Sequence, residues 1–247
     1  DGPGWLRSGE GGAVGGFTSR QGGVSTGALA SLNLALRAGE RPEHLHENWA
    51  RAVGALDVPG APLGPEAVAV LDQVHGDRVI EVVAAGGHSA PVGTADAAFT
   101  RQPRIVLAVR VADCVPVVIT GPGVVAVAHA GWRGTVGRVV ERVVSEIVAA
   151  GGPAEALSAA VGPCISAAAY PVGDEVVDEV LDTAKVGVAL GWGTELPAHV
   201  VVLPELREVA RARVRVVVLV CLSHSTFLVA FPEADPAEPD QRIFAYS

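Results

Sequence analysis

Residues 105–130 read IVLAVRVADCVPVVITGPGVVAVAHA, three apolar runs separated by the short breaks ADC and GPG. Runs of this length that are rich in valine and bounded by turn residues are typical of strands covered on both faces. The stretch therefore predicts buried strands that carry further layers on either side. The complete set of predicted strands is Ile105–Val111, Val115–Thr120, Val124–Ala130, Leu157–Val161 and Val214–Val220.

Helices are predicted before and after this stretch. Apolar residues recur at helical spacing from Val136 to Val148, and Gly151 and Gly152 end the pattern. An earlier helix is expected over residues 42–56, where Pro42 suits the first turn. Helices and strands interleave irregularly, which favours a layered α+β domain over a strictly alternating fold. Two further helices are predicted near Asp174–Ala184 and Pro204–Ala212.

The composition is that of a globular protein, with 49% hydrophobic and 18% charged residues among 247. The formal net charge of −9 disfavours general binding of nucleic acid, because phosphates are repelled. The longest apolar runs are too short to cross a bilayer. Three widely spaced cysteines indicate no disulfide framework. We therefore expect a cytoplasmic protein that binds neither nucleic acid nor a membrane, and its oligomeric state is left open.

Three segments interrupt the apolar sequence with reactive side chains. They contain His75 in QVHGD, Cys114 in ADCVP and His129 in HAGWRG. A thiolate and two imidazoles suit Zn²⁺, and three protein ligands leave a fourth position open, as in catalytic zinc sites. The spacing matches no compact zinc signature, so a buried thiol and two unrelated histidines are an equally good interpretation at this point.

Two glycine-rich turns are candidates for binding an anion. The segment HAGWRG passes from a strand into a helix and places Arg133 near the helix start, where backbone N–H groups favour negative charge. The earlier segment FTSRQGGVS carries one arginine, Arg20, but it does not match a P-loop. An ordinary turn is the better explanation of each segment at this point.

Taken together, these segments resemble the YfiH family of purine nucleoside phosphorylases, also described as multicopper polyphenol oxidases or laccase-domain proteins. The matching stretches occur in the family's order and lie between residues 17 and 180. The combination of ADC-P with HAGWRG is the most specific part of the resemblance. The matching stretches are FTSRQGGVSTG, SLNLA, QVHGDRV, ADAAFT, ADCVPVVI, VAVAHAGWRGT and AAVGPCISAAAYPVGDEV.

The resemblance implies a single α+β domain of four layers, α/β/β/α, over residues 1–247, with zinc bound by His75, Cys114 and His129. It implies phosphorolysis of adenosine, inosine and methylthioadenosine, with adenosine deamination as a companion reaction. The chain departs from the family at Trp49, where arginine is usual, and its C-terminal end is atypical or truncated. The residues suggested for contacts with substrate or phosphate are Ser19, Arg20, Asn33 and Arg133.

Several alternatives stay open at this stage. Asp113 is a candidate for shuttling a proton in catalysis or for orienting a ligand histidine, and we favour the orienting role. Copper in place of zinc would allow phenol oxidation, but a multicopper oxidase needs many histidines, and most of the seven here lie in polar or loop contexts and are expected to be solvated. Cys114 could instead be a hydrolase nucleophile. Cys164 as a fourth ligand would make a closed, structural zinc site.

Overall fold

The computed structural model describes residues 4–7, 13–58, 60, 62–152, 154–165, 169–180, 215–218 and 225–230. In this part of the chain the strands form two six-stranded sheets. Sheet I has the order β1 (Gly4–Arg7), β2 (Val14–Phe17), β12 (Ser225–Ala230), β7 (Val106–Val111), β3 (Val68–Asp72), β5 (Gly87–Thr94). Sheet II has the order β11 (Arg215–Val218), β10 (Ser158–Val161), β8 (Val115–Gly121), β9 (Val124–Ala130), β6 (Ala97–Thr100), β4 (Val79–Glu81).

The two sheets pack face to face because the central strands are apolar on both sides. Along β7, Leu107 and Val109 belong to a buried cluster that also contains Val125 and Val127 of β9. The alternate residues of the two strands belong to two other clusters, one on each outer face. The predicted coverage of both faces is therefore confirmed for the central strands.

Each outer face is covered by one amphipathic helix. On sheet I lies α1 (Pro42–Gly54), which buries Trp49 and Val53 against β3 and β7. On sheet II lies α3 (Val139–Ala149), which buries Val143 and Ile147 against β8 and β9. The layer order is thus helix, sheet, sheet, helix, and the predicted α+β fold with four layers is confirmed. The extent of one domain over 1–247 stays a prediction.

The helix predicted from Val136 is interrupted. A short helix, α2 (Trp132–Val136), is followed by Gly137 and by Arg138 in the left-handed region at φ 62°, and α3 then begins at Val139. Residues 174–180 are helical, while the rest of that predicted helix and the one near Pro204–Ala212 lie outside the described residues.

The predicted central strands are confirmed to within one residue at each end, and β10 begins at Ser158 instead of Leu157. Of the strand predicted over Val214–Val220, the described residues form β11. The sequence analysis missed seven strands, which are short or contain glycine and proline: β1, β2, β3, β4, β5, β6 and β12. None of the described helices has the length and apolar character needed to span a membrane.

Candidate metal centre

The site is built where the chain crosses from sheet I to sheet II. Three such crossings are β3 to β4, β5 to β6, and β7 to β8. The first carries His75, the second carries Asp96, and the third carries Cys114. His129 lies near the end of β9, where it pairs with Pro116 of β8. The fold therefore gathers at one place side chains that are far apart in sequence.

His75, Cys114 and His129 form a compact group of metal-ligating atoms. One ligand atom of each lies within 4.8 Å of the ligand atoms of the other two. The imidazole rings of His75 and His129 meet edge to face, with centroids 4.7 Å apart. His75 is exposed, Cys114 is half-buried and His129 is buried. The group therefore has one side that solvent or a substrate can reach.

Asp96 fixes the orientation of His129. Its carboxylate Oδ1 lies 2.7 Å from Nδ1 of His129, and both side chains are almost fully buried. Since a carboxylate only accepts hydrogen bonds, Nδ1 of His129 carries the hydrogen and donates it. The remaining nitrogen, Nε2, is then the one available to a metal, which is the usual arrangement behind a metal-binding histidine.

The same carboxylate also holds the loop that carries His75. It accepts the backbone N–H groups of Val74 at 3.2 Å, His75 at 2.9 Å and Gly76 at 2.7 Å. His75 has φ 60°, a left-handed conformation that is uncommon for a residue with a side chain and is found most often at functional sites. Asp96 therefore positions two of the three candidate ligands at once.

The electrostatics of the metal-free group follow from these contacts. Burial raises the pKa of Asp96, but the hydrogen bonds from His129 and from Gly76 and Val74 outweigh burial and lower this pKa overall. Burial lowers the pKa of His129, but its hydrogen bonds to Asp96 and Cys114 outweigh burial and raise it to about 9. Asp96 and Cys114 thus hold the buried imidazole of His129 in its protonated form at neutral pH in the metal-free protein.

The residues fit a transition-metal ion of the zinc type. Two imidazoles and a thiolate are ligands that Zn²⁺ prefers, and ligands around a tetrahedral zinc lie about 3.5 Å apart. Gly131 leaves the necessary room, since a Cβ there would lie 3.1 Å from Cδ2 of His75 and 3.2 Å from Sγ of Cys114.

Asp96 orients His129, and the role of Asp113 in orienting a ligand histidine stays a prediction. Asp113 is exposed next to Cys114. Asp96 was missed in the sequence analysis although ADAAFT was one of the matching stretches. Its signal is a single acidic residue within an apolar run that becomes β6, a position where an unpaired charge would be costly.

Cys164 lies near the group without belonging to it. Burial and the nearby charge of Cys114 raise the pKa of the Cys164 thiol. Within the described residues, the cluster with metal-ligand spacing contains only His75, Cys114 and His129. A closed four-ligand site that includes Cys164 therefore finds no support in this geometry.

The residues suggested for substrate contacts fall into two places. Arg133 is exposed and its guanidinium lies 4.1 Å from the centre of the Trp132 ring, in the turn that follows His129. Its helix α2 has only five residues, so the predicted anion site at a helix start loses most of its basis. The other three candidates, Ser19, Arg20 and Asn33, belong to the segment between β2 and α1.

Buried Asn48 of α1 organises this segment. It accepts the N–H of Val24 at 2.8 Å and donates to Oγ of Ser25 and to the backbone oxygen of Asn33, each at 2.8 Å. Arg20 is exposed and donates twice to the oxygen of Ala30. Asn33 donates to a carboxylate oxygen of Glu40. The side-chain hydrogen bonds of Asn33 thus lie within its own segment and do not reach the metal-ligating group.

One expectation about the other histidines is wrong. His88 was expected to be solvated, like His44, His46 and His199, but it is half-buried. His46 is exposed as expected, and its Nδ1 lies 3.3 Å from Nε2 of His88. The His88 ring also stacks against buried Trp49, with centroids 6.1 Å apart. Burial and the charge of His46 lower the pKa of His88. Trp49 thus takes part in a packed contact between α1 and the edge strand β5.

Comparison with known proteins places this geometry in a family. The family model described as multi-copper polyphenol oxidoreductase laccase matches residues 14–216. The chain belongs to this family. The same stretch contains every residue of the metal-ligating group and its partner Asp96.

Relatives of this chain are named purine nucleoside phosphorylases. A Deinococcus radiodurans protein named purine nucleoside phosphorylase is 41% identical over 162 residues, which is 65% of this chain and 60% of that protein. Purine nucleoside phosphorylase YlmD of Geobacillus stearothermophilus is 34% identical over 212 residues, 79% of this chain and 74% of that protein. The match to YfiH of Escherichia coli, 38% identical, spans 61% of its length. The chain thus spans less than two thirds of two of these three relatives.

Solved structures agree with the fold. The crystal structure of Geobacillus stearothermophilus YlmD has a TM-score of 0.72 and 26% identity, and the match covers 94% of this chain and 98% of that one. The YfiH protein of Bacillus licheniformis has a TM-score of 0.70 at 22% identity over 89% of this chain and 92% of that one. The chain is therefore a YfiH-type member of the laccase family in both sequence and architecture.

Proposed function

We propose that this protein is a zinc-dependent purine nucleoside enzyme. It would cleave adenosine, inosine or methylthioadenosine with phosphate, and deaminate adenosine as a companion reaction. The observation that carries the proposal is the group of His75, Cys114 and His129, with Asp96 fixing two of its members. The relatives named purine nucleoside phosphorylase supply the class of substrate.

The side chains around the group have distinct roles in this proposal. A zinc ion held by three protein ligands supplies a Lewis acid with one open coordination position. His129 is held rigidly by Asp96, while His75 at the exposed rim admits the substrate. Arg133, which lies over Trp132, and Arg20 supply positive charge to position phosphate for attack at C1′ as the base leaves. Exposed Asp113 beside Cys114 is available to carry a proton during deamination.

Copper-dependent phenol oxidation is the second candidate, because the family model is described by that activity. The same nitrogen and sulfur ligands bind copper more tightly than zinc. In the described part of the chain, however, only one group of three metal-ligating residues occurs. His199 and His224 lie outside the described residues. We therefore treat oxidase activity as a property of the copper-loaded protein.

The third candidate function is that of a cysteine hydrolase, which would use the side chains of Cys114 and His129 without a metal. The side chain of His129 hydrogen-bonds to Cys114, which is the contact that a nucleophile and its base require. In that case the thiol would be free in the active protein, and Cys114 would react with an alkylating agent whether or not metal had been removed.

The test measures metal content and products on the same preparations. The full chain and its Cys114→Ala and Cys164→Ala variants are analysed for bound metal, then incubated with adenosine, with and without phosphate, and the products are separated by chromatography. We expect about one zinc per chain, with adenine and inosine formed by the parent and by Cys164→Ala, and both metal and products lost in Cys114→Ala. A metal-free parent with an alkylatable Cys114 would instead favour the hydrolase.

The phosphate contacts need a separate measurement. Arg133→Ala and Arg20→Ala should raise the KM for phosphate, while zinc content and the yield of inosine in the absence of phosphate stay unchanged. Arg101→Ala is the matched control, since Arg101 is an exposed arginine paired with Glu81 away from this site. An equal KM for phosphate in all three variants would remove Arg20 and Arg133 from the proposed phosphate site.

A further inference from the structure

Two chain segments run side by side beyond the ends of β8 and β10. These strands pair antiparallel, with Val161 opposite Val117. The register continues past the strand ends, because the N–H of Gly162 donates to the oxygen of Pro116 at 2.9 Å. Further on, the N–H of Ile165 donates to the oxygen of Asp113, also at 2.9 Å.

These two bonds place Cys164 and Cys114 on facing stretches of the two segments, each next to the bond between Ile165 and Asp113. Each segment has two residues between the bonds, Pro163 and Cys164 on one and Cys114 and Val115 on the other. Residues directly opposite each other in antiparallel segments have Cα atoms about 4.5–5.5 Å apart, and disulfides join Cα atoms about 4.4–6.8 Å apart. Both thiols are free and half-buried. The backbone thus holds two reduced cysteines at a separation that a disulfide can bridge.

We propose that Cys114 and Cys164 form a redox-active thiol pair, which closes to a disulfide when the site holds no metal and a peroxide is present. The disulfide takes Cys114 out of the ligand set, so oxidation and metal binding exclude each other. The formation of the disulfide stands on the backbone register, whereas its effect on metal binding rests on the proposed function.

The reaction balances with hydrogen peroxide as the oxidant. The Cys114 thiolate attacks one peroxide oxygen, the O–O bond breaks, and a sulfenic acid and hydroxide are formed. The Cys164 sulfur then attacks the Cys114 sulfur, the S–O bond breaks, and a second hydroxide leaves. The two thiol protons convert both hydroxides to water. Two electrons pass from the two sulfur atoms to the peroxide, and a dithiol reductant reverses the change.

A bound metal would protect the pair. A thiolate that donates its electron pair to zinc is a weaker nucleophile than a free one, and its position is fixed by the two histidines. While Cys114 is bound to the metal it forms no sulfenic acid, so Cys164 has no oxidised sulfur to attack. The pair therefore acts after the metal has been lost, and it returns Cys114 to the thiol state on reduction instead of allowing irreversible oxidation.

The experiment uses the full chain with Cys221→Ser, so that only the two cysteines of the pair remain. Zinc-loaded and chelator-treated samples of this protein and of its Cys164→Ser variant are exposed to dilute hydrogen peroxide. Peptide mapping then identifies cross-linked, sulfenic and sulfinic forms, and zinc uptake is measured before and after treatment with a dithiol.

We expect a cross-linked peptide joining Cys114 to Cys164 in the metal-free protein, loss of zinc uptake, and recovery of both on reduction. In Cys164→Ser, Cys114 should progress to sulfinic acid and zinc uptake should not recover. The proposal is overturned if no cross-linked peptide forms, or if Cys114 reaches sulfinic acid equally fast with and without Cys164. If untreated protein takes up no zinc, the proposed function is refuted. The presence or absence of the cross-linked peptide would still test whether Cys114 and Cys164 form a disulfide.

Discussion

Asp96 lies 2.7 Å from Nδ1 of His129, and the two residues also share a backbone hydrogen bond in which the N–H of His129 donates to the oxygen of Asp96 at 2.7 Å. The side-chain contact depends on the pairing of β6 with β9, because the backbone bond continues that ladder. The ligand histidine is therefore aligned by the sheet itself. Changes at Asp96 should affect the metal more strongly than changes at any residue that merely lies near it.

Asp96→Asn should weaken zinc binding about 10–100-fold, because the histidine loses its charged partner. An amide NH₂ in place of Oδ2 would also face the N–H groups of both Val74 and Gly76, leaving these donors unpaired and lowering the free energy of unfolding by about 1–3 kcal/mol. Competition with a chromophoric chelator measures the affinity, and urea unfolding of the metal-free protein measures the stability.

Asp113→Asn is the matched control for this substitution. Asp113 is exposed beside Cys114, so its replacement should leave zinc affinity nearly unchanged and alter stability by about 0.5 kcal/mol or less. If Asp113→Asn lost zinc while Asp96→Asn retained it, the orienting role would belong to Asp113 and the interpretation of the structure would be wrong.

Gly131→Ala should reduce zinc affinity while the protein stays folded. The backbone at Gly131 has φ −71°, which any residue adopts, so the effect comes from the methyl group against His75 and Cys114. Gly54→Ala is the control, since Gly54 is the last residue of α1 and an added Cβ there would meet nothing within 4 Å. This variant should have a free energy of unfolding higher by up to about 1 kcal/mol. Unchanged zinc affinity in Gly131→Ala would show that the ligands do not need this space.

Zinc binding should release a proton from His129 near neutral pH. The pKa of His129 is raised from 6.5 to about 9 in the metal-free protein, so its imidazole is protonated near neutral pH. It must lose a proton before Nε2 can bind metal. Affinity should therefore rise with pH up to about 9. The protonated form stabilises the metal-free fold below pH 6.5, and this stabilisation disappears as the pH rises through 9.

Calorimetry in buffers of different ionisation enthalpy detects this release. The apparent enthalpy of zinc binding should change with the buffer in the parent protein. The Asp96→Asn variant, which lacks the carboxylate that raises the pKa of His129, should show a smaller change. A binding enthalpy that is independent of the buffer in both proteins would mean that no proton is displaced.

Asn48→Ala should destabilise the protein by about 2–4 kcal/mol, because it removes the partner of several polar groups in the segment between β2 and α1. Urea unfolding measures the loss. The KM for substrate should also rise, since Ser19, Arg20 and Asn33 belong to that segment. Glu43→Ala, on an exposed part of the same helix, should cost about 0.5 kcal/mol or less. Equal stability of the two variants would contradict this account.

The central strands and the outer helices could be predicted from the sequence because their patterns are local. The runs that form β7, β8 and β9 are mostly apolar, and α3 has an uninterrupted apolar face. The short strands could not be predicted in this way. The residues of β2 are VGGF and those of β5 include proline and glycine, so only pairing across the sheet makes them strands.

The candidate ligands were identified from residue chemistry and family resemblance, but Asp96 was not. Its role depends on two distant contacts, to a loop 20 residues earlier and to a strand 33 residues later. The break before α3 was missed for a similar reason. Arg138 adopts a left-handed conformation there, although an arginine carries no local signal for it.

The three crossings between the sheets have a consequence for folding kinetics. Cys114 and His129 come together when β8 pairs with β9, and His75 joins them only when β4 and β6 have also paired, so the ligand set is complete only late in the assembly of sheet II. A metal bound there stabilises the native state while contributing nothing to an earlier transition state. Its effect is therefore to slow unfolding and lengthen the lifetime of the folded protein, while the rate of folding stays the same.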